Sequence, residues 1–414
     1  MTYKALFSGR NQLCALLCIA ALGLASCVQV STDTNKVKPR SLVYPEPPDE
    51  PRFVYERTIF GSADAVPEDS DSALKRVLTG VLRSSEPLRK PYSIAARHGR
   101  VYVTDTVDRS VKVFDVANGK YFKFGWEEGP GHLVKPMGID VDGNGNVYVM
   151  DATQKLVFIF DADGGFIRKI GKEKDKDGNE MFDRVAGVTA DPAGERVYVT
   201  EIGGVSSQNH RIRVFNAKTG EHIADYGKRG SGDGEFNLPR DVAIGKNGEI
   251  FVVDGGNFRI QVFDKDGKFV RRFGSLGKQL GQFARPKEAA TDSAGNLYVI
   301  DTAYSNVQIF SPEGELLMFV GEHSAKSGPG LFQLPSGVAV DEDGRLYVVD
   351  QYLRKIDVFR PAELTEDQGS LVYRGGGQKA ATGVSEYEAQ QKALKQQEEA
   401  ADKKAGEEEA PPQE

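Results

Sequence analysis

The chain has 414 residues but only three cysteines and one tryptophan. Cys14, Cys18 and Cys27 all fall in the first 27 residues, so no disulfide staples the remainder, and neither a Cys-x-x-Cys-His haem attachment nor a cysteine-rich zinc site is available there. Long apolar runs are equally scarce. The one that exists, Leu13 to Leu24, follows Lys4 and Arg10 and is too short to span a bilayer, which is the layout of a secretory signal. A strong excess of one charge is also missing, since 53 basic residues stand against 60 acidic ones. Much of the net −7 sits in the stretch from Gln378 onward, with five lysines against nine acids, so the body is nearly balanced and has no nucleic-acid-binding stripe.

What is present begins with Leu24-Ala25-Ser26-Cys27, which resembles the lipobox of bacterial lipoproteins. The resemblance implies a signal peptide over 1–26, lipidation of Cys27 and attachment to a membrane in the cell envelope. Val28, rather than Asp, at the next position implies the outer membrane. Residues 27–51 carry Pro39, Pro45, Pro47, Pro48 and Pro51 and read as a semi-rigid tether, extended at about 3 Å per residue, whose last residues lie either free or along the body.

The body is periodic. Val101-Tyr102-Val103-Thr104-Asp105 recurs as Val147 to Asp151, Val197 to Glu201, Ile250 to Asp254, Leu297 to Asp301 and Leu346 to Asp350, at intervals of 46 to 53 residues. Each copy follows a strand-like run and a glycine hairpin, and each precedes an alternating strand, a glycine turn and, in all but the last, a further strand. Four short strands per repeat in six repeats predict an all-β, six-bladed propeller with blade cores from about 90 to 361.

The unit Gly-x-Phe-x-x-Pro-x-x-Val-Ala, at Gly234 to Ala243 and with small departures at Gly281 to Ala290 and Gly330 to Ala339, resembles the NHL repeat family. Two repeats are degenerate, with Leu133 in place of the Phe in the second and Val185 in place of the Pro in the third. The propeller is placed at 52–375. Closing the ring needs a fourth strand for the last blade, and both 52–61 and Ser370 to Tyr373 fit that edge. Between closure and first blade, residues 70–84 predict a helix with Leu74, Val77, Leu78 and Val81 on one face. From 376 to 414 the composition predicts a charged helical or disordered tail.

The acid ending each second strand recurs in every repeat, so a structural role in the following turn is expected. Asp140-Val141-Asp142-Gly143-Asn144-Gly145 matches the opening of a calcium loop, but Asp151 at the twelfth position lies at the far end of a strand and closes no calcium shell. Asp175 to Asn179 is a second, incomplete acidic loop. The resemblance to NHL-type peptidyl-hydroxyglycine lyases implies a zinc held by histidines on the axis. Of His98, His132, His210, His222 and His323, only His132 and His323 lie on loops of one face, short of the three ligands catalytic zinc needs. Six-bladed lactonases imply a central calcium, yet the inner strand entrances here show Arg240-Asp241 and Lys287-Glu288 rather than a ring of acids. Those four residues form either a mutual salt-bridge network or a ligand site at the propeller mouth. Trp126, Phe258, Arg259, Tyr304, Tyr352 and Arg354 are candidates for a loop interface, although Arg259 and Arg354 also suit turn bracing. The expectation is a membrane-anchored, non-catalytic module without a cofactor that binds an envelope protein, peptide or glycan. The alternative is a metal-dependent lyase or hydrolase working in the central channel.

Overall fold

Four short strands joined by turns too tight for a crossover can only form an antiparallel meander, and each repeat does so. The structure, a computed structural model, describes residues 42–68, 78–79, 84–171, 181–204 and 206–375. Blade 1 comprises Pro91–Arg97, Arg100–Asp105, Ser110–Asp115 and Lys120–Phe124, paired in that order. Four further four-stranded sheets follow, beginning at Pro136, Val185, Pro239 and Pro286. Every second strand is covered by neighbouring blades on both faces, so its residues are buried without alternation, as in Val147–Asp151. The fourth strands lie at the rim and alternate, as in Phe166–Ile170.

Blade 6 has three strands of its own, Pro335–Val340, Leu346–Asp350 and Lys355–Pro361. Its fourth is Phe53–Ile59, antiparallel to Lys355–Pro361 in a register that sets Phe53 opposite Pro361 and Ile59 opposite Ile356. Val43–Tyr44 adds a short fifth. The competing segment Ser370 to Tyr373 forms no strand. It crosses the opposite face, where the Ser370 amide donates to Asp343 at 2.5 Å, the Arg374 amide to the Ala117 carbonyl at 2.8 Å, and Leu371 is wholly buried.

Six apolar clusters sit one between each pair of adjacent blades; that between blades 1 and 2 includes Val113, Leu133, Val149 and Phe160. The repeat motif explains itself here. Phe236 lies over Gly227, where a Cβ would come within 2.2 Å of its ring, and the motif's first glycine, Gly234, at φ +75°, donates its amide to Gln261 at 2.9 Å. The degenerate blade preserves the contact with another side chain, Leu133 over Gly125.

The lipidation signal, Cys27, most of the tether, the loop Asp175 to Asn179 and the tail lie outside the described residues. So does most of the helix expected over 70–84. Leu78 and Thr79, which are described, are helical, and Leu78 is exposed.

Candidate functional site

The acids that end the second strands build the mouth from below. Asp151 accepts from the Thr153 and Gln154 amides of its own turn at 2.9 and 2.8 Å, and from the Val134 and Lys135 amides of the incoming loop at 2.6 and 2.8 Å. Asp105, Asp301 and Asp350 repeat the arrangement, and Glu201 accepts from the Asp183 amide at 2.6 Å. Asp105, Asp151, Asp301 and Asp350 thus each fix both the loop between second and third strands and the residue just before the inner strand of their own blade. Those preceding residues are basic in four blades, Lys90, Lys135, Arg184 and Arg285, so the clamps gather cations round the axis.

Inside this rim is a cavity of about 300 Å³, lined among others by Tyr92, Lys135, Arg184, Arg240, Lys287 and Glu288. Below it a narrower channel of about 160 Å³ runs between the inner strands, with Asp140, Asp241 and Glu288 in its wall. Equivalent positions at the boundary are Ser93, Gly138, Gly187, Asp241, Glu288 and Gly337. The Asp241 carboxylate accepts from the Ala289 amide of the next blade at 3.0 Å, and Glu288 from that of Val338 at 3.0 Å. A Cβ on Gly187 would come within 2.5 Å of Asp241 Oδ1, so glycine is what lets the carboxylate lie across the axis.

Among the described residues, Arg240, Asp241, Lys287 and Glu288 form no ion pair at contact distance with one another, so the mutual salt-bridge network is not what this mouth contains. The bases project into the cavity while Asp241 lines the channel beyond it; Glu288 reaches both. Lys287 lies deep in the molecule yet keeps some open surface, because it faces the cavity rather than packed side chains; its ammonium sits 3.7 Å from the centre of the Tyr92 ring. Burial, and then repulsion from Arg240 working against the attraction of Glu288, brings Lys287 down to about 8. Burial pushes Glu288 up to about 7 against the pull of Lys287, raises Asp241 well above its ordinary range and takes Tyr92 to about 12. Asp140, buried in the channel wall, is raised to about 7 although the Ala190 and Val141 amides bind its charged form.

The calcium-loop reading fails in the structure for a local reason. Asp142 spends its oxygens on the Asn144 and Asn146 amides at 2.8 and 2.9 Å and on the Tyr148 hydroxyl at 3.0 Å, an Asx turn repeated at Asp292. Histidine does not supply a metal centre either. His132 is engaged with the Glu127 carbonyl, His323 with Ser305, His210 with the Leu238 amide, and His98 and His222 with acids of their own surroundings. Among the described residues no three His, Cys, Asp or Glu side chains are grouped as a metal needs, and the channel carboxylates are committed to backbone amides. The residues present do not fit the zinc or calcium that the family resemblance implies.

The loop candidates separate. Arg259 is buried and braces its turn, donating to Asp254 at 2.8 Å and to the Gly232 carbonyl at 2.7 Å, so it is removed from the interface. Phe258 packs partly on the core in a left-handed conformation, and the Tyr304 hydroxyl donates to the Gly277 carbonyl. Trp126, Tyr352 and Arg354 remain exposed, on the same face as the cavity. Arg354 has φ +54° and, unlike Arg259, stands one residue before its strand. Lys135 and Arg184 were not among the sequence candidates; the column of residues preceding the inner strands was the signal that points to them.

A model for the NHL repeat matches residues 236–263 and one for a 6-bladed beta-propeller matches residues 83–170. Over 105 residues the chain is 36% identical to a probable peptidyl-alpha-hydroxyglycine alpha-amidating lyase of Caenorhabditis elegans, covering 24% of this chain and 28% of the relative. Over 86 residues it is 36% identical to mouse NHL repeat-containing protein 3, covering 21% of this chain and 24% of the relative. The chain therefore spans about a quarter of the length of these two curated relatives. Among solved structures it is similar to a gluconolactonase from Xanthomonas campestris, with a TM-score of 0.51, 14% identity and coverage of 78% of this chain and 99% of that one. A protein of unknown function from Bacteroides thetaiotaomicron gives a TM-score of 0.53 at 16% identity, covering 74% and 76%. At such identities the likeness is one of fold. With its repeat motif, its matching repeat and propeller models and its ring of six sheets, the chain is an NHL-repeat six-bladed β-propeller.

Proposed function

We propose that this propeller is a non-catalytic binding module whose working face carries the cavity mouth, held at the bacterial outer membrane through lipidated Cys27 and presented to an envelope protein, peptide or glycan. The observation that carries the reading is the cavity of about 300 Å³ at the axis, framed by charged side chains with exposed Trp126, Tyr352 and Arg354 on the surrounding loops. A concave, partly apolar site with a few convergent polar groups is the usual form of a ligand pocket, and aromatic and arginine side chains at its edge add area for a larger partner. The histidines are dispersed and the channel carboxylates engaged with backbone, which favours binding over metal chemistry.

The test uses the full chain on peptide and glycan arrays, followed by elemental analysis after dialysis without chelator. Retention of one ligand class that Trp126→Ala and Tyr352→Ala weaken, with no stoichiometric zinc or calcium, is the expected result. Stoichiometric metal together with turnover of a peptidyl-hydroxyglycine or a lactone would replace this reading. The segment similar to a probable amidating lyase keeps that second reading specific enough to assay.

A further inference from the structure

We infer that the mouth cavity is a receptor site for a small organic molecule bearing two or more oxyanionic groups, carboxylate or phosphate. This rests on the mouth being the binding face. Lys135, Arg184, Arg240 and Lys287 come from four successive blades, 2 to 5, the first two just before the inner strand and the last two within it, and all line one cavity. Among the described residues none of the four has a carboxylate at ion-pair distance, although the same protein pairs its wholly buried cations closely: Arg345 with Glu56 at 2.8 Å, Lys355 with Asp357 at 2.5 Å and Lys112 with Asp108 at 2.6 Å. The fold therefore neutralises cations where it uses them for stability and leaves them open at the axis.

Their mutual repulsion is visible in the electrostatics. Burial first, and then the positive fields of Arg184 and Arg285 set against that of the Tyr92 oxygen, hold Arg240 below its ordinary value. The Arg240 side chain runs along Gly255, where a Cβ would meet its Cγ at 2.6 Å, so the turn keeps a lane open for it. Like charges held around a low-dielectric cavity focus a positive potential into it and favour an anion that neutralises several at once. Arg184 and Arg240 provide planar forks suited to paired oxyanion oxygens, while Lys287 supplies a point charge at the floor. Glu288, next to Lys287, is raised to about 7, so near neutrality it opposes an anion less than an ordinary carboxylate does. The Tyr92 ring, Met137, Val185 and Ile202 give the remainder of the wall an apolar face. A volume of about 300 Å³ fits a small molecule and leaves no room for a folded partner or a duplex.

The experiment is isothermal titration calorimetry on the full chain with citrate, inorganic pyrophosphate and uncharged glucose, at low and physiological ionic strength. Citrate, pyrophosphate or both bind, glucose does not, and affinity falls with salt; which anion binds separates a carboxylate ligand from a phosphate one. Arg240→Gln and Lys287→Gln each weaken binding by at least about tenfold, whereas Lys246→Gln, exposed on the hairpin between the first two strands of blade 4 and outside the cavity lining, leaves it unchanged. Should either inner variant fail to fold, Arg184→Gln at the exposed rim decides. It weakens anion binding and leaves the unliganded melting temperature unchanged or higher, because it relieves repulsion, an effect that a structural arginine would not give. Heat from neither anion, or binding that Arg184→Gln and Arg240→Gln leave intact, overturns the inference. Array binding that depends on Trp126 and Tyr352 in a protein that takes no anion would overturn it while leaving the binding-module reading in place. Anion binding without any array ligand would do the reverse.

Discussion

Asp140 shows how far one strand position moves a carboxyl group. It sits in the channel wall, raised to about 7 from 3.8 by burial, with amides of Ala190 and Val141 and the Arg97 guanidinium opposing the shift and Asp142 adding to it. Its charge also reaches Asp241 and Glu288 across the channel. A folded value above the unfolded one means that the contribution to stability is fully present below about pH 4 and is lost as the pH rises through 7. Asp140→Asn is expected to flatten the fall in stability between pH 5 and pH 8 by roughly 2 kcal/mol, a figure reduced for the openness of the channel; denaturant melts at the two pH values check it, and equal slopes in the two proteins would refute it. Glu288, raised to about 7, titrates over the same range, so some slope remains. At this scale the sequence was partly legible. Repeat alignment put Arg240, Asp241, Lys287 and Glu288 at the mouth, because position in the repeat fixes position on the axis. It did not show which faced the cavity and which the channel, nor that Arg259 is held inside its turn, because those depend on how far each side chain reaches between blades.

Strand Phe53–Ile59 joins blade 6 by more than backbone pairing. Glu56, fully buried, receives Arg345 at 2.8 Å, and Thr58 donates to Asp357 at 2.6 Å, so the closing edge carries its own polar key. Removing one member of a buried pair leaves the other uncompensated, and Arg345 keeps only Asp343 at 3.0 Å and the Gln368 carbonyl at 2.7 Å. Glu56→Ala is expected to cost about 3 kcal/mol, while Glu56→Leu combined with Arg345→Met recovers most of the loss; chemical denaturation of the three variants checks this, and a double variant no better than the single would refute it. The sequence offered two segments for this edge because both are short, apolar and strand-like. What separated them is charge: Glu56 and Thr58 have buried partners on blade 6, and Ser370 to Tyr373 has partners only in turns. The second strands of all six blades were legible because a run buried on both faces is largely apolar, and that signature repeats six times.

A closed ring distributes its core among six interfaces, and no blade is complete without the next. The seam between blades 6 and 1 joins segments from opposite ends of the body, so it is where opening begins if the ring opens at all. Two devices cover it: the closing strand on the rim, and the segment after Pro361, which crosses the face opposite the mouth and buries Leu371 in the same cluster as Ile59, Leu88 and Ile356. Gly99 and Ser370 meet so closely that a Cβ on Gly99 would lie within 2.2 Å of the Ser370 carbonyl oxygen, which fits the strap tightly against the first hairpin of blade 1. Leu371→Ala therefore removes a fully buried side chain at the seam and is expected to cost about 3 kcal/mol, measurable as a lower melting temperature and faster hydrogen exchange in the Phe53–Ile59 strand than in the second strands of blades 3 and 4. Because the strap and the mouth lie at opposite ends of the channel, ligand binding by the folded fraction of the variant should stay within experimental error of the parent. Exchange that accelerates equally in all six blades would show that the ring opens as one cooperative unit and has no preferred seam.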